Sequence, residues 1–560
     1  LGVKSNEPVD IWELKDQQMN EDRIINDNNI VNIDDTDNKL VSDESSIVIL
    51  EENSQKINKV NLVGLYDPEE NNLDIDMWLY SDGDQVKAIL KKINTIKLST
   101  DSRSILKIAL LTNSYPPKNK IKPDDFNKLK VYFLENNNDL NLIKEFIIKN
   151  QNLSINKIII KKYIDNYLIN GDLDTSCSLF DEIDISNSDD YLDKFKIYCL
   201  IKNNKKDEAQ LLFDLKKELN FNDNFFENKF YNLMGYNGDN LEKISEASAL
   251  DFHLSQVTNQ QFSYSPEENT PGFIWKYLSS YNLLEGVNTV DLEDNEKIKN
   301  IEKATHEMNY DELELLNLYK RYNFTLEQLL SVNEIYKILP NHKARAILYQ
   351  RLLLTYDIKE KLSLAKKIKD LMVEDEIENA FNKELSNILL EIDFDKVPAE
   401  YSTFYKNNIE KKENKDIKTK FNNKIIHQSK LLNYFFKKYD IEKINKETND
   451  MLKKVKSNKK YIFSNKDKIL IDSLEYDGVK IKKQYKNLYE KNPNIPTDLQ
   501  VLINNNDLGM LLLRLVEIIG EDKIEDLGTE TLYFITTVLN EVNLDQIRNK
   551  IIVKTLPLRI

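Results

Sequence analysis

"NYLINGDLDTSCSLFDEI", residues 166–183, decides how this chain is read. An apolar helix end runs into Asn170-Gly171-Asp172, and a second amphipathic stretch follows at once. The same pattern stands on either side. "NNDLNLIKEFI" begins at Asn137 and "NNKKDEAQLLF" at Asn203, each 33 residues from Asn170. In that register Asp139 matches Asp172, Leu140 matches Leu173, and the small Ser176 matches Ala209. Leu179-Phe180-Asp181 likewise matches Leu212-Phe213-Asp214, and a fourth turn, "YNGDN", arrives one residue late at Asn237. Helix-spaced apolar residues precede each turn ("INKIIIKKYIDNYLI", "YLDKFKIYCLI") and follow it. The stretch predicts an array of helical hairpins, with Phe180 and Phe213 as equivalent core positions and Lys205 and Lys206 in a solvated turn.

A period near 33 with two helices per unit resembles the tetratricopeptide class of α-solenoids over roughly 120–245. Helical patterns continue beyond it without the strict period: "TPGFIWKYLSSYNLL" (270–284), "NEKIKNIEKATHEMN" (295–309), "DELELLNLYKRYN" (311–323), "TLEQLLSVNEIYKIL" (325–339) and "HKARAILYQRLLLT" (342–355). Asp311 and Thr325 stand where helix caps belong, and Ser99 and Ser81 are further cap candidates. The expected fold is all-α, an α-solenoid of antiparallel helix pairs with a disordered acidic N-terminal leader. Four segments are expected: a signal-peptide remnant and leader (1–58), an N-terminal helical-repeat domain (59–262), a middle helical domain (263–400) and a Lys-rich C-terminal helical domain (401–560). "SYSPEENTPG" (263–272) is the internal linker.

Composition supports helix. Twelve glycines and twelve prolines in 560 residues fall far below the usual share of about 7% and 5%. At 41% hydrophobic and 31% charged, the chain suits extensive solvated helix surface. A net charge of −16 argues against general nucleic-acid binding, which needs a basic face to neutralise phosphates. The most apolar run, "LGMLLLRLVEIIG" (508–520), carries Arg514 and Glu517 and reads as a buried amphipathic helix, so no transmembrane segment is expected. Residues 6–58 are polar and acidic, interrupted by "SIVIL" (46–50), and cannot bury enough apolar surface to order themselves. Leu1 to Ser5 looks like the end of a bacterial signal peptide, with Val3 and Ser5 as its small −3 and −1 residues; an arbitrary start is the competing reading. Cys177 and Cys199 could pair in an oxidising compartment, but two unpaired packing cysteines are the expectation.

Sites of chemistry are scarce in the pattern. A phosphate loop needs closely spaced glycines so that backbone N–H groups can approach the anion, and the closest pair is Gly235 and Gly238. The four histidines, His253, His306, His342 and His427, lie too far apart for helical metal-ligand spacing and read as surface or helix-end residues. "DIDMW" (74–78) and "SDGD" (81–84) lack a complete calcium loop and read as turn and cap residues. No catalytic, cofactor-binding or metal residue is assigned, and no cofactor is expected. Between 405 and 492 the chain turns Lys-rich with interleaved Tyr and Phe. Two readings fit that run: a solvated helix face of Lys and Glu, or peripheral contact with an anionic surface.

"GLYDPEENNLDIDMW" (64–78), the helix ending "ALLTNSYPP" (109–117) and, more weakly, "HKARAILYQRLLLTYD" (342–357) resemble an uncharacterised alphaproteobacterial family often labelled "antifreeze glycopeptide polyprotein". The resemblance implies an exported helical protein and supplies no catalytic residues. The expected function is a non-enzymatic periplasmic helical-repeat scaffold or adaptor for proteins of the bacterial envelope. The alternatives are a superhelical accessory subunit of a cell-wall (peptidoglycan) enzyme and a cytoplasmic repeat adaptor.

Overall fold

The computed structural model describes residues 62–137, 139–151, 153, 156–183, 189–236, 241–267, 269–284, 286, 288–409, 419–437, 440–489 and 495–559. The expected leader and "SIVIL" lie outside them, as do Asn237 and Gly238 of the fourth turn. The described fold is all-α, apart from a two-residue antiparallel ladder in which Thr419 pairs with Arg559 and Lys420 with Leu558.

The opening repeat is a structural one. Helices α1 (Gly83–Ile93) and α2 (Thr100–Leu111) lead into α3 (Pro123–Glu135) and α4 (Leu140–Lys149). The antiparallel pairs α5 (Lys157–Ile169) with α6 (Leu173–Glu182), and α7 (Asp190–Lys202) with α8 (Lys206–Glu218), then start 33 residues apart. The two inter-helix turns share one backbone geometry. Asp172 N–H donates to Tyr167 O and Gly171 N–H to Leu168 O; 33 residues on, Lys205 N–H donates to Leu200 O and Asn204 N–H to Ile201 O. Gly171 and Asn204 take the left-handed conformation that this C-terminal motif requires, with φ of 82° and 59°. Asp139 and Asp172 then cap the second helices by accepting from Leu142 N–H and Thr175 N–H. Ser176 and Ala209 are both buried, where small side chains let the paired helices approach.

Two expectations fail inside this array. Phe213 is 1% exposed, but Phe180 is only half-buried and Leu179 takes the interior position beside it. The next helix decides the difference: α9 (Asn224–Met234) covers Phe213 with Phe226 and Phe230, whereas the equivalent positions in α7 are Asp193 and Ile197. Cys177 and Cys199 form a disulfide, against the expectation of free thiols, because α6 and α7 pack together and bring their Cα atoms to 5.4 Å.

After α9 the rhythm breaks. Residues 241–248 carry no helix; α10 (Ala249–Thr258) and α11 (Gly272–Ser280) instead turn back and pack on α5. Then come α12 (Asn295–His306), α13 (Glu312–Lys320), the short α14 (Leu326–Leu330) and α15 (Val332–Ile335), and α16 (Asn341–Leu353), which α12's neighbour α13 and the following α17 (Ile358–Glu374) both contact. The stretch expected as one helix over 325–339 is therefore split. Helices α18 (Asn382–Leu390), α19 (Ser402–Asn408) and α20 (Asn433–Lys437) precede α21 (Ile441–Ser457), α22 (Asn465–Tyr476), α23 (Lys483–Lys486) and α24 (Thr497–Asn504). The last three are α25 (Leu508–Ile519), α26 (Thr529–Glu541) and α27 (Asp545–Thr555).

The apolar clusters do not follow chain order. Buried residues of 73–126 share one cluster with those of 426–556, so α1 and α2 pack on α25 near the opposite end of the sequence. "DIDMW" supplies the join. Trp78 is fully buried, its indole N–H donates to Ala109 O, and its ring lies so close to Gly509 that a Cβ there would stand 2.3 Å from it. Met77 O accepts from Gly509 N–H, and Ser81 Oγ donates to Asp507, the cap of α25. The cap of α1 is consequently Asp82 rather than Ser81. A second cluster fills the array between 131 and 254, with Val63 and Leu111, a third spans 275–405, and Phe252, Ile274, Tyr277 and Leu278 form a small fourth across the expected linker.

Candidate interaction surfaces

In a helical-repeat array the faces left open to partners are the functional candidates. The face of the array at α5 and α7 is occupied by the chain's own α10 and α11. His253 on α10 sits between two tyrosines: Tyr198 of α7 lies 2.7 Å from Nε2 and Tyr277 of α11 lies 2.7 Å from Nδ1. Tyr277 O–H donates to Gln256, so its oxygen accepts from Nδ1–H and Nε2 accepts from Tyr198; one neutral tautomer satisfies the whole chain. Burial, reinforced by Lys202, pushes His253 down to about 3. Tyr281 stacks on Tyr277 with centroids 4.1 Å apart and donates to Leu168 O at the end of α5. Beside them Lys194 of α7 bridges Asp251 of α10 and Asp223, the cap of α9, each at 3.0 Å. Burial opposes the Lys194 charge, but its two carboxylates outweigh burial and raise its pKa. This seam fastens helices together and leaves the groove filled.

On its outer side the array is not filled. Leu211, Leu215 and Leu219, one helical turn apart along α8 and its C-cap, are 73%, 50% and 66% exposed. The equivalent positions in earlier repeats are polar: Ser178 and Glu182 in α6, Glu145 and Lys149 in α4. Sequence reading missed this ridge, although leucines at i, i+4 and i+8 opposite Ala209 and Phe213 were a legible signal.

A third place gathers charge. At the start of α16, Arg345 is buried and holds Glu302 of α12 through two nitrogens at 2.6 and 3.1 Å, Asp375 at 2.5 Å and Leu371 O at 3.2 Å. Tyr319 of α13 donates to the same Glu302. A cleft of about 540 Å³ adjoins this cluster, lined also by Lys299, Asn341 and His342. His342 is buried, burial and then Arg345 push it down to about 4, and its Nε2 has no hydrogen-bond partner among the described residues. With most of its donors spent on these partners, Arg345 is a clamp on four helices. Breaking such a buried pair costs roughly 3–5 kcal/mol.

The remaining residues singled out by sequence are structural. His306 ends α12 and its Nδ1 accepts from Asn379 N–H; His427 pairs with Asp467 at 2.7 Å. His253 is an interior residue, not the surface or helix-end one expected, because α10 is wrapped by several helices; His342 does stand at a helix end, second in α16, but is buried there. Asp74 accepts from Asn506, Asp82 caps α1 and pairs with Lys120, and Gly235 ends α9 with φ of 98°. Lys130 is fully buried with its ammonium on Val63 O at 2.6 Å, and burial brings its pKa down to about 7. Across the Lys-rich run, Lys443, Lys446, Lys453 and Lys454 lie exposed on α21, while Lys456 sits over Tyr485 and Lys486 pairs with Glu475. Among the described residues no group of three or more His, Cys, Asp or Glu side chains is placed to hold a metal ion, and no helix is long and apolar enough to cross a membrane. The chain matches no family model, no curated protein and no solved structure.

Proposed function

We propose that this chain is a non-enzymatic helical-repeat scaffold or adaptor of the periplasm that binds proteins of the bacterial envelope. The observation that carries the reading is the contrast between the two sides of the array. Its α5–α7 face is closed by α10 and α11, while α8 turns three leucines to solvent. Apolar ridges of that kind on a rigid helical frame mark surfaces for other proteins. The Cys177–Cys199 disulfide fits an oxidising compartment, and the likeness of 64–78 and 109–117 to an exported family points the same way. Affinity purification of the full chain from crosslinked cells tests the reading. A discrete envelope protein recovered in fixed proportion is the expected result. Recovery of the chain alone, under conditions that hold known envelope complexes together, overturns it.

A further inference from the structure

The four carboxylates around the leucine ridge say what kind of surface it meets. At 100° per residue, Leu211, Leu215 and Leu219 fall within an arc of about 80°, which also contains Glu208. Glu218, Asp207 and Asp214 follow within about 60° on one side. All four acids are exposed, and no Lys or Arg of α8 shares the arc. The ridge is therefore apolar along its crest, with Glu208 within it, and anionic on one flank. Resting on the scaffold reading, we infer that α8 docks a cationic amphipathic helix of a partner protein.

Three arguments select that occupant. Leucines spaced by four along a helix form a ridge that the side-chain grooves of a second helix accept, and such ridges are the anchors of helix-in-groove recognition. The register supplies the contrast: at the equivalent positions α6 carries Ser178 and Glu182 and α4 carries Glu145 and Lys149, so the apolar crest is peculiar to α8. Charge then argues against two occupants, the segment 1–61 and a second copy. The segment 1–61 holds fourteen acidic and six basic residues, so it carries the same sign as the flank. A second copy meeting it ridge to ridge in the antiparallel sense would set Asp207, Asp214 and Glu218 against their own counterparts. A helix with leucines on one face and lysines beside them satisfies crest and flank together.

The test uses the full-length protein and a fluorescent leucine–lysine peptide about 18 residues long, enough for a helix to form on binding. A leucine–glutamate analogue and a scrambled leucine–lysine peptide serve as comparisons. The triple change Leu211→Ser, Leu215→Ser and Leu219→Ser removes the crest; Asp207→Asn, Asp214→Asn and Glu218→Gln neutralise the flank. All six side chains face solvent, so unchanged thermal unfolding verifies that each variant is folded. The expected result is binding of the amphipathic cationic peptide that weakens at least about tenfold in the crest variant, which is the loss of about 1.4 kcal/mol. The flank variant should weaken it too and flatten its salt dependence. No binding, equal binding by crest variant and wild type, or equal binding of the scrambled peptide overturns the inference. So does sedimentation showing a dimer that the crest variant abolishes, which would make a second copy the occupant. The scaffold reading fails separately: a cellular partner recovered equally well by wild type and crest variant sinks the role of α8 and leaves the adaptor standing.

Discussion

Phe213 lies among Phe226, Phe230 and Tyr231, whereas Phe180 stacks on Phe195 at 5.9 Å and keeps part of its ring in water. Truncating a buried phenylalanine removes transfer energy and leaves a cavity, so Phe213→Ala should cost roughly 3–5 kcal/mol. Phe180→Ala should cost about half as much, in proportion to the apolar area it hides. Urea unfolding of the two variants checks the order; equal losses would put both rings in the same environment. His253 gives a prediction of a different kind. Its folded pKa of about 3 lies below the 6.5 of an unhindered imidazole, so the unfolded chain takes up the proton first as pH falls. The stability this group contributes is complete above about pH 6.5 and is lost toward pH 3, at up to about 1.4 kcal/mol per pH unit. Unfolding measured from pH 7 to 4 should therefore fall more steeply in wild type than in His253→Gln. Parallel curves would mean that the imidazole is charged in the folded protein.

Caps and turns were legible at the level of single elements because their chemistry is local. Ser99, Asp311 and Thr325 each accept from backbone N–H groups two or three residues on, and no distant partner is needed. Ser81 misled for the opposite reason: its hydroxyl is claimed by Asp507, and Asp82 takes over as cap. The split of 325–339 was illegible for a related cause, and so was the exposure of the α8 leucines, though not their spacing. Helical spacing names two faces of a helix and does not say which neighbour covers each. The two cysteines are the sharpest case, since their separation of 22 residues becomes a 5.4 Å approach only through the docking of α6 on α7. Their bond closes a loop across one repeat boundary. By loop length alone it should stabilise the array by roughly 3 kcal/mol. Denaturant unfolding with and without a thiol reductant measures this, and Cys177→Ser should reproduce the reduced protein. Identical midpoints in all three would show that the reduced boundary holds by packing alone.

At the scale of the whole molecule the sequence read as a line, and the fold joins residues 73–126 to residues 426–556. The pattern ending in "DMW" was conspicuous, but nothing near it names a partner, because the partner is a glycine in α25. Gly509→Ala would ordinarily favour a helix by up to about 1 kcal/mol. Here the added methyl meets the Trp78 indole at 2.3 Å, so overpacking of about 1–3 kcal/mol should win. The variant should melt lower and shift tryptophan emission to longer wavelength as Trp78 is displaced. An unchanged spectrum and midpoint would mean that α25 does not rest on this ring.

The join also sets a schedule. Ser81 and Asp507 are 426 residues apart in the chain, so on a ribosome α1 and α2 emerge long before α25 exists. At about 5–20 residues per second the apolar faces of the first two helices wait on the order of 20–80 s for the surface that buries them. A chain built this way cannot finish packing α1 and α2 until α25 has been made, and during that interval these two helices are the ones most in need of protection from aggregation.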